Sequence, residues 1–306
     1  MYRSFEEIAA AAKAHPRKRT LAVAGAADTA VLQSVVHAAR EGIVSPILVG
    51  DREKIRELLT RMDVAADAFP IENARSGEEP DLSAQLVRRG EAEILMKGMV
   101  DTGPMLRPLV KKENNLRTGS LMSHVVFFDR IPHYQKLLLQ TDGGMVMYPT
   151  LADKKAIIEN AVSTLHTMGN PNPSVGVLAA IEKVNPKMVE TTDAAELARM
   201  NRDGELTGCT VVGPISYDVA MSAEIARHKG FDCPFCGEFD VLIVPNMTCG
   251  NILSKSWIVT AGAMMAGIIV GAKAPVVLTS RADSDEAKLN SIALALMIAA
   301  NKTVKE

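Results

Sequence analysis

The sequence predicts an α/β protein with two lobes, each a mostly parallel sheet covered by helices. Apolar runs of strand length alternate along the chain with segments whose apolar residues have helical spacing. These runs are apolar throughout, as is typical of strands that are buried on both faces. The length of 306 residues is about twice the roughly 150 residues of an average domain. We therefore expect two three-layer α/β/α lobes.

The first 100 residues alternate between strand and helix. The run TLAVAGA predicts a strand, and the next segment predicts a helix with Asp28 as its N-cap and Gly42 at its end. Two more strand-length runs, SPILVG and EILMKGMV, are separated by helical segments. This order predicts parallel strands joined by helices.

The middle of the chain has a different pattern. The runs SHVVFFD and QKLLLQTD have no helix between them, so we expect strands that pair locally. A helix is predicted to start at Asp153 and to stop at Gly169, and three helix and strand alternations follow. With a hinge near residues 120–150, one lobe comprises residues 1–121 and 273–306 and the other residues 122–272.

Composition excludes some classes of protein. Lys and Arg number 34 against 36 Asp and Glu, which gives a net charge of -2 and no excess of positive charge for a polyanion. One Trp, four Tyr and seven Phe offer few stacking platforms for nucleic-acid bases. We therefore expect no nucleic-acid partner, and any anionic ligand must be bound by a few local cations.

The amino-terminal segment, the apolar stretches and the cysteine pattern favour a cytoplasmic protein without a membrane partner. The amino-terminal segment carries acidic residues and lacks a signal-peptide core. The charge-free stretch Ser256–Ala272 is at the short limit for spanning a bilayer, and a buried helix running into a buried strand explains it better. The four cysteines form no disulfide framework, and the Cys233–Cys236 CxxC has no second pair of ligands for zinc.

Four loops that follow apolar runs carry polar side chains, at the position where α/β sheets bind ligands. These loops contain GMVDTGPMLRP, TDGGMVMYP, NMTCGNILSK and SRADS, and none is a GxGxxG or P-loop motif. Their hydroxyl, amide and cationic groups suit a phosphate ligand. The residues concerned are Thr102, Arg107, Asn251, Lys255, Ser280 and Arg281.

The same residues also have structural interpretations. Asn251 and Lys255 suit the cap of a helix that begins near Leu253. Asp142, which precedes two glycines, suits a turn, and the Ser-Arg pair of SRADS suits a solvated loop at a helix start. Taken alone, the residues leave both interpretations open.

Seven separated blocks lie between Ile94 and Leu296 in a defined order. They read MKGMVDTGPMLRPLVKKENNLRTG, LMSHVVFFDRIPHYQKLLLQTDGGM, PTLADKKAIIENAV, VNPKM, VVGPISYDVAMS, VPNMTCGNILSK and GIIVGAKAPVVLTSRADS. In these blocks the chain resembles the phosphate acyltransferases, which comprise a phosphate butyryltransferase and a phosphate acetyltransferase branch, and it is most similar to the butyryl branch. Seven ordered blocks are far more specific than one short motif.

The resemblance implies an isopropylmalate dehydrogenase-like fold with the active site in the cleft between the lobes. It implies the reversible reaction of butyryl-CoA and phosphate to butyryl phosphate and CoA; a phosphate acetyltransferase or a broader short- or branched-chain phosphate acyltransferase is the alternative. Acyl-CoA, phosphate and acyl phosphate are then the partners. The resemblance further implies that coenzyme A is a substrate, that no cofactor is permanently bound, that no metal is needed and that the protein forms a homo-oligomer.

The resemblance also implies roles for individual residues. Ser280 would donate a hydrogen bond to the tetrahedral oxygen or the CoA sulfur, and Arg281 would bind phosphate or the carbonyl oxygen. Arg107 matches a family position that binds anionic parts of the substrates. The other residues expected to bind CoA or phosphate are Thr102, Ser123, Asp142, Asn251 and Lys255.

Two positions depart from the family pattern. The acetyl branch has a catalytic aspartate seven residues after the serine, where this chain has Ala287. We expect Asp283 to replace it as the base for the thiol, with Glu286 behind it, although Asp283 also suits the N-cap of the last helix. Val212 stands where family members commonly have Asp.

Two functions of other classes compete with the acyltransferase. A metal- and NAD-dependent hydroxyacid dehydrogenase of the related fold needs a cluster of aspartates, and the sequence has none at suitable spacing. A non-catalytic CoA-binding homologue would account for Ala287 and Val212. Hydride transfer to NAD would indicate the first, and tight CoA binding without turnover the second.

Overall fold

The computed structural model describes residues 2–280 and 283–301, in which the chain forms eleven strands and eleven α-helices. The strands are β1 (Arg19–Ala24), β2 (Val44–Gly50), β3 (Ile71–Asn73), β4 (Ile94–Lys97), β5 (Ser123–Asp129), β6 (Leu138–Thr141), β7 (Ser174–Leu178), β8 (Thr210–Ile215), β9 (Val241–Ile243), β10 (Met264–Val270) and β11 (Val276–Val277). The helices are α1 (Phe5–Ala14), α2 (Thr29–Arg40), α3 (Arg52–Arg61), α4 (Glu79–Arg88), α5 (Thr102–Val110), α6 (Leu151–Thr167), α7 (Val189–Arg202), α8 (Tyr217–Met221), α9 (Ala223–His228), α10 (Met247–Ala261) and α11 (Asp285–Asn301).

The chain divides into two compact units. Among the described residues, lobe 1 comprises Glu6–Ser120 and those from Ala266 onward, and lobe 2 comprises Leu121–Met265 and residues 2–5. The boundaries expected from the sequence, 1–121 with 273–306 and 122–272, stay a prediction.

The strands of lobe 1 have the order β3-β2-β1-β4-β11-β10. The first five are parallel to their neighbours, and β10 is antiparallel to β11. Every residue of β4 is buried, and so are the last four of β1. Helix α11 is buried through Ile292–Leu296, which explains its apolar composition. The carboxyl ends of five parallel strands therefore lie at one edge of this sheet.

The strands of lobe 2 have the order β5-β6-β9-β7-β8. Strands β6, β9, β7 and β8 are parallel, whereas β5 is antiparallel to β6. The predicted local pairing of SHVVFFD with QKLLLQTD is confirmed. A short connection joins these two strands, so no crossover helix is needed.

The predicted limits of α2 are confirmed. The Asp28 carboxylate accepts a hydrogen bond from the N–H of Val31, and Gly42 follows the helix with a φ of 74°. Helix α6 begins at Leu151, two residues before the predicted start at Asp153, because the side chain of Thr150 is the N-cap and Asp153 completes a capping box with it.

The predicted start of α10 near Leu253 is wrong. The helix begins at Met247, because the Asn246 side chain accepts a hydrogen bond from the N–H of Cys249. The sequence also predicted a buried helix running into a buried strand at this point, and only the burial of the strand is confirmed. Strand β10 is buried, but much of the preceding helix is exposed, with Val259 at 83%. No helix within the described part of the chain is long and apolar enough to cross a membrane.

Candidate active site

A tight turn follows β11 in lobe 1. The run from Val276 to Thr279 is buried, and Ser280 is the first exposed residue after it. The N–H of Ser280 donates to Oδ2 of Asp283 at 2.6 Å, and the N–H of Asp283 donates back to the Ser280 carbonyl at 3.2 Å. Ser280 and Asp283 are therefore held together, with the Ser280 side chain on the surface. Arg281 lies outside the described residues.

Asp283 is not the N-cap of α11. The Ser284 hydroxyl accepts the hydrogen bond from the N–H of Ala287 at 3.1 Å, which is the capping contact. The carboxylate of Asp283 instead closes the turn onto Ser280. The capping alternative for Asp283 is thus wrong, because the next residue performs that task.

The position seven residues after Ser280 offers no acid. Ala287 is 4% exposed and lies on the buried side of the first turn of α11. Glu286 beside it is exposed. Among the acids near this turn, Asp283 is the one whose carboxylate contacts the backbone of Ser280.

Lys288 lies under the turn and was missed by the sequence analysis. Its side chain is 6% exposed, and its Nζ donates to the backbone carbonyl of Asp283 at 2.6 Å. A buried ammonium thus fixes the turn, and it also lies 3.9 Å from Oδ1 of Asp285. The feature of the sequence that could have indicated this position is a lysine near the start of an otherwise apolar helix.

The loop after β4 lies beside this turn, because β11 pairs in parallel with β4, Val277 against Met96. Lys97, the last residue of β4, is buried, and its Nζ donates to the carbonyl of Val100 at 3.2 Å. Gly98 packs so closely that a Cβ would lie 2.5 Å from the Gly25 carbonyl oxygen. The loop is therefore rigidly placed.

Thr102 and Arg107 lie on α5, which follows this loop. Thr102 is the first residue of the helix and is exposed, as is Arg107. Within residues 2–280 and 283–301, the Arg107 guanidinium makes no ion pair. An exposed, unpaired arginine is available to bind an anion. The turn at Ser280 and the start of α5 are thus brought to the same edge of the lobe 1 sheet.

In lobe 2, Asp142 organises the loop after β6. It is 2% exposed, and its carboxylate accepts hydrogen bonds from the N–H groups of His124, Gly144 and Met145 at 2.7–2.9 Å. Ser123 is fully buried, and its hydroxyl accepts a hydrogen bond from the Asn160 amide at 2.9 Å. Both residues shape the loop, and their predicted contacts with substrate stay predictions.

The first turns of α10 lie against the same loop. A Cβ on Gly143 would be 3.1 Å from the carbonyl carbon of Gly250 and 3.4 Å from the nitrogen of Asn251. Asn251 and Lys255 are exposed on this helix, one turn apart, and Lys255 makes no ion pair with any described residue. The structure therefore brings Ser123, Asp142, Asn251 and Lys255 into one region of lobe 2.

A charged cluster that sequence analysis missed lies after β7 and β8 in lobe 2. The Ser216 hydroxyl contacts the carboxylates of Glu182 and Asp218, and Lys229 pairs with both acids. Hydrogen bonds from Ser216 and Lys229 lower the pKa of Asp218 to about 2. Its members are far apart in sequence, so no motif indicated it.

The thiols and acids of the described residues give no grouped metal ligands. Cys233 and Cys236 lie in one turn, where the N–H of Cys236 donates to the Cys233 carbonyl at 3.5 Å. In the described ranges, no three His, Cys, Asp or Glu side chains group as they would to hold a metal ion.

Comparison with known proteins identifies the family. The phosphate acetyl/butaryl transferase family model matches residues 77–296. The chain is 42% identical to a phosphate butyryltransferase from Clostridium acetobutylicum, over 99% of this chain and 100% of that protein. It is 39% identical to a phosphate acetyltransferase from Thermotoga maritima, over 94% and 97% of the two chains. The chain belongs to the phosphate acetyl/butaryl transferase family, as the seven blocks predicted.

Solved structures agree with this assignment. A branched-chain phosphotransacylase from Enterococcus faecalis V583 matches with a TM-score of 0.81 and 32% identity, covering 92% of this chain and 99% of that one. A 4-hydroxythreonine-4-phosphate dehydrogenase from Klebsiella pneumoniae matches with a TM-score of 0.55 at 14% identity, covering 92% and 100%. That second likeness concerns the fold alone. The predicted α/β class, shared with dehydrogenases, is confirmed.

Proposed function

We propose that this protein catalyses the reversible transfer of a butyryl group between coenzyme A and inorganic phosphate. The observation that carries the proposal is the 42% identity to a phosphate butyryltransferase over nearly the whole of both chains. Acyl-CoA, phosphate and acyl phosphate are the proposed substrates and products, with coenzyme A as a substrate and without a resident cofactor. A homo-oligomer in the cytoplasm completes the proposal.

In the direction of acyl-CoA formation, the CoA thiol loses its proton and its sulfur attacks the carbonyl carbon of butyryl phosphate. The carbonyl electron pair moves onto oxygen and gives an anionic tetrahedral species. The bond between the acyl carbon and the phosphate oxygen then breaks, and inorganic phosphate leaves with that electron pair. The protein must therefore take up a proton, stabilise an oxyanion and bind a phosphate.

Ser280, an exposed residue, suits the second of these tasks through its hydroxyl. It follows a buried strand and sits in a turn fixed by Asp283 and Lys288, so little reorganisation is needed when charge develops. We assign Arg281 to the phosphate or the carbonyl oxygen, because a guanidinium binds two oxygens at once. Arg107 and Lys255 have no ion-pair partner among the described residues, so they suit the anionic parts of the substrates, as do Thr102 and Asn251.

We assign the uptake of the thiol proton to Asp283. Support comes from Ala287, which is buried and carries no acid, and from the placement of the Asp283 carboxylate against Ser280. One oxygen of this carboxylate accepts the N–H of Ser280, and a carboxylate has further lone pairs for a proton. Ser123 and Asp142 act in this proposal by shaping the loop in lobe 2.

The test is the initial rate of CoA release from butyryl-CoA as phosphate is varied. We expect saturable dependence on phosphate and a fall of roughly 100-fold or more in kcat for Ser280→Ala and Arg281→Ala. Ser163→Ala and Arg61→Ala, at exposed positions on α6 and α3, serve as controls and should leave the rate unchanged. Release without phosphate, or full activity in both site variants, would contradict the proposal.

The preferred length of the acyl chain is tested with acyl-CoA substrates whose acyl groups have two to six carbons. One methylene in an apolar pocket changes binding by about 1 kcal/mol, so neighbouring chain lengths should differ by roughly fivefold. A maximum of kcat/KM at four carbons supports the butyryl assignment. A maximum at two carbons, or with branched chains, favours the acetyl or the broader alternative.

A further inference from the structure

Cys233 and Cys236 lie in one tight turn of lobe 2, between α9 and β9. The N–H of Cys236 donates to the Cys233 carbonyl at 3.5 Å, which closes the turn over four residues. Pro234 is the second of these residues, where its fixed φ favours such a turn. The proposed acyl transfer uses neither thiol.

The turn holds the two thiols at the separation that a disulfide needs. A β-turn keeps its first and fourth Cα atoms within about 7 Å, and the Cα atoms of a disulfide are about 4.4–6.8 Å apart. The thiol of Cys236 shares a hydrogen bond with the thiol of Cys233, so the two sulfur atoms already face each other. Both cysteines are free thiols. A bond between their sulfur atoms therefore requires little movement of the backbone.

Hydrogen bonds on the carboxyl side hold the turn in place. The N–H of Gly237 donates to the Ala220 carbonyl of α8, and the N–H of Glu238 donates to the Phe235 carbonyl, both at 2.8 Å. Gly237 has a φ of 82°, and a Cβ there would lie 3.3 Å from the nitrogen of Ala223 in α9. The backbone that carries the two cysteines is therefore fixed against α8 and α9.

The two thiols differ in their access to solvent. Cys236 is 3% exposed, whereas Cys233 is half-buried, so a small oxidant can reach the sulfur of Cys233 first. Burial and the neighbouring Cys233 raise the pKa of the Cys236 thiol to about 12. The contribution of Cys233 is removed once its sulfur is bonded to another sulfur. Cys233 is therefore suited to attack, and Cys236 to resolve the product of that attack.

A metal site does not explain the pair. Zinc takes four ligands, and among the residues that the structure describes no further His, Cys, Asp or Glu side chain groups with these two thiols to hold an ion. Disulfides inside cells are usually transient and act in catalysis or in redox sensing. Two adjacent thiols outside the acyl-transfer residues suit the second of these roles.

We propose that Cys233 and Cys236 form a reversible disulfide by reaction with a small-molecule disulfide. The Cys233 thiol loses its proton to solvent, and its sulfur attacks one sulfur of the oxidant. The bond between the two oxidant sulfurs breaks, and the first small thiol leaves with that electron pair and gains a proton. The deprotonated Cys236 sulfur then attacks the Cys233 sulfur and displaces the second small thiol. The protein loses two electrons, and the oxidant is reduced to two thiols.

The test treats the folded protein with oxidised glutathione, blocks the remaining thiols and measures the masses of its peptides. A protease that cuts after Glu238 separates the pair from Cys249. We expect the peptide with Cys233 and Cys236 to lose two hydrogen atoms, to carry no glutathione and to return to the dithiol with dithiothreitol. In urea, where the turn is lost, the equilibrium constant for this disulfide should be about tenfold smaller.

Single substitutions separate the two steps. Cys236→Ser and Cys236→Ala should each keep one glutathione on Cys233, and Cys233→Ser should leave the buried Cys236 unmodified. Cys209→Ser is the matched control, since Cys209 is buried but lies outside the turn, and it should form the disulfide as the unchanged protein does.

The unchanged protein decides the inference even if a variant fails to fold. Glutathione that stays on Cys233, a pair that remains reduced, or a disulfide from either cysteine to Cys209 or Cys249 would overturn it. An equilibrium constant in urea equal to that of the folded protein would also overturn it, because the turn would then contribute nothing. The acyl-transfer assay is not involved, so failure of the proposed function leaves this test intact.

Discussion

The backbone N–H of Ser280 and the carboxylate of Asp283 are joined by a hydrogen bond of 2.6 Å, which places the candidate base three residues from the candidate oxyanion donor. The Ser284 hydroxyl caps α11, so Asp283 is not required for that purpose. Two roles remain for the Asp283 carboxylate, to take up the thiol proton and to hold the turn. They can be separated by substitution.

Asp283→Asn tests these two roles. Asparagine can still accept the hydrogen bond of Ser280, but it cannot take up a proton near neutral pH. If Asp283 is the base, kcat with CoA falls by about 100-fold or more in both Asp283→Asn and Asp283→Ala. Retained activity in the asparagine variant alone would show that the residue only holds the turn. Steady-state rates across pH give the measurement, and Glu159→Gln, at an exposed position on α6, is the control.

Gly98→Ala should destabilise the loop after β4. A Cβ there would lie 2.5 Å from the Gly25 carbonyl oxygen and 2.8 Å from that of Ala24, and both are backbone atoms that cannot move aside easily. We expect a loss of about 1–3 kcal/mol in the free energy of unfolding, measured in urea. Gly103→Ala is the matched control, because a Cβ there meets nothing within 4 Å and alanine favours a helix. Equal stability of the two variants would contradict this.

Asp218 should make the stability of the protein depend on pH in acid. Ser216 and Lys229 lower its pKa to about 2, so its contribution is present above its ordinary pKa and is lost as the pH falls towards 2. Because the side chain is 44% exposed, solvent screens the pair, and Asp218→Asn should cost less than about 1 kcal/mol at neutral pH. The free energies of unfolding of the unchanged protein and of Asp218→Asn should converge near pH 2. A constant difference at every pH would refute this.

Two of the cysteines should resist alkylation. Burial raises the pKa of Cys209 to about 11, and burial together with Cys233 raises the pKa of Cys236 to about 12. Since the thiolate is the reactive form, both should label slowly near pH 8 and faster as the pH rises. The exposed Cys249 should label first, and Cys249→Ser should remove the fast phase. Mass spectrometry of iodoacetamide-treated protein measures this, and equally fast labelling of Cys209 would contradict it.

The sequence predicted those parts of the fold that depend on neighbouring residues. The cap at Asp28, the glycine at position 42 and the pairing of β5 with β6 follow from local chemistry and short connections. The start of α10 was misplaced, because Asn246 follows a proline in a loop-like segment and its capping role becomes clear only from its bond to Cys249. Local signals of that kind compete, and tertiary packing decides between them.

The candidate site was predictable to a similar degree. Ser280 at the exposed end of a buried strand follows from the pattern of apolar residues. The burial of Lys288 and the three amide hydrogen bonds to Asp142 do not, since both depend on residues brought together by folding. A cavity of about 560 Å³ at the carboxyl ends of β1 to β4 was also missed, because its lining residues come from four loops and share no motif.

The central claim is that phosphate, and not water, accepts the acyl group from butyryl-CoA. Phosphorus-31 NMR of a reaction containing butyryl-CoA, inorganic phosphate and the protein tests this directly. We predict a new acyl phosphate resonance that grows in step with free CoA, and that is absent with Ser280→Ala and present with Ser163→Ala. Release of CoA with butyrate as the product and no acyl phosphate resonance would contradict the account.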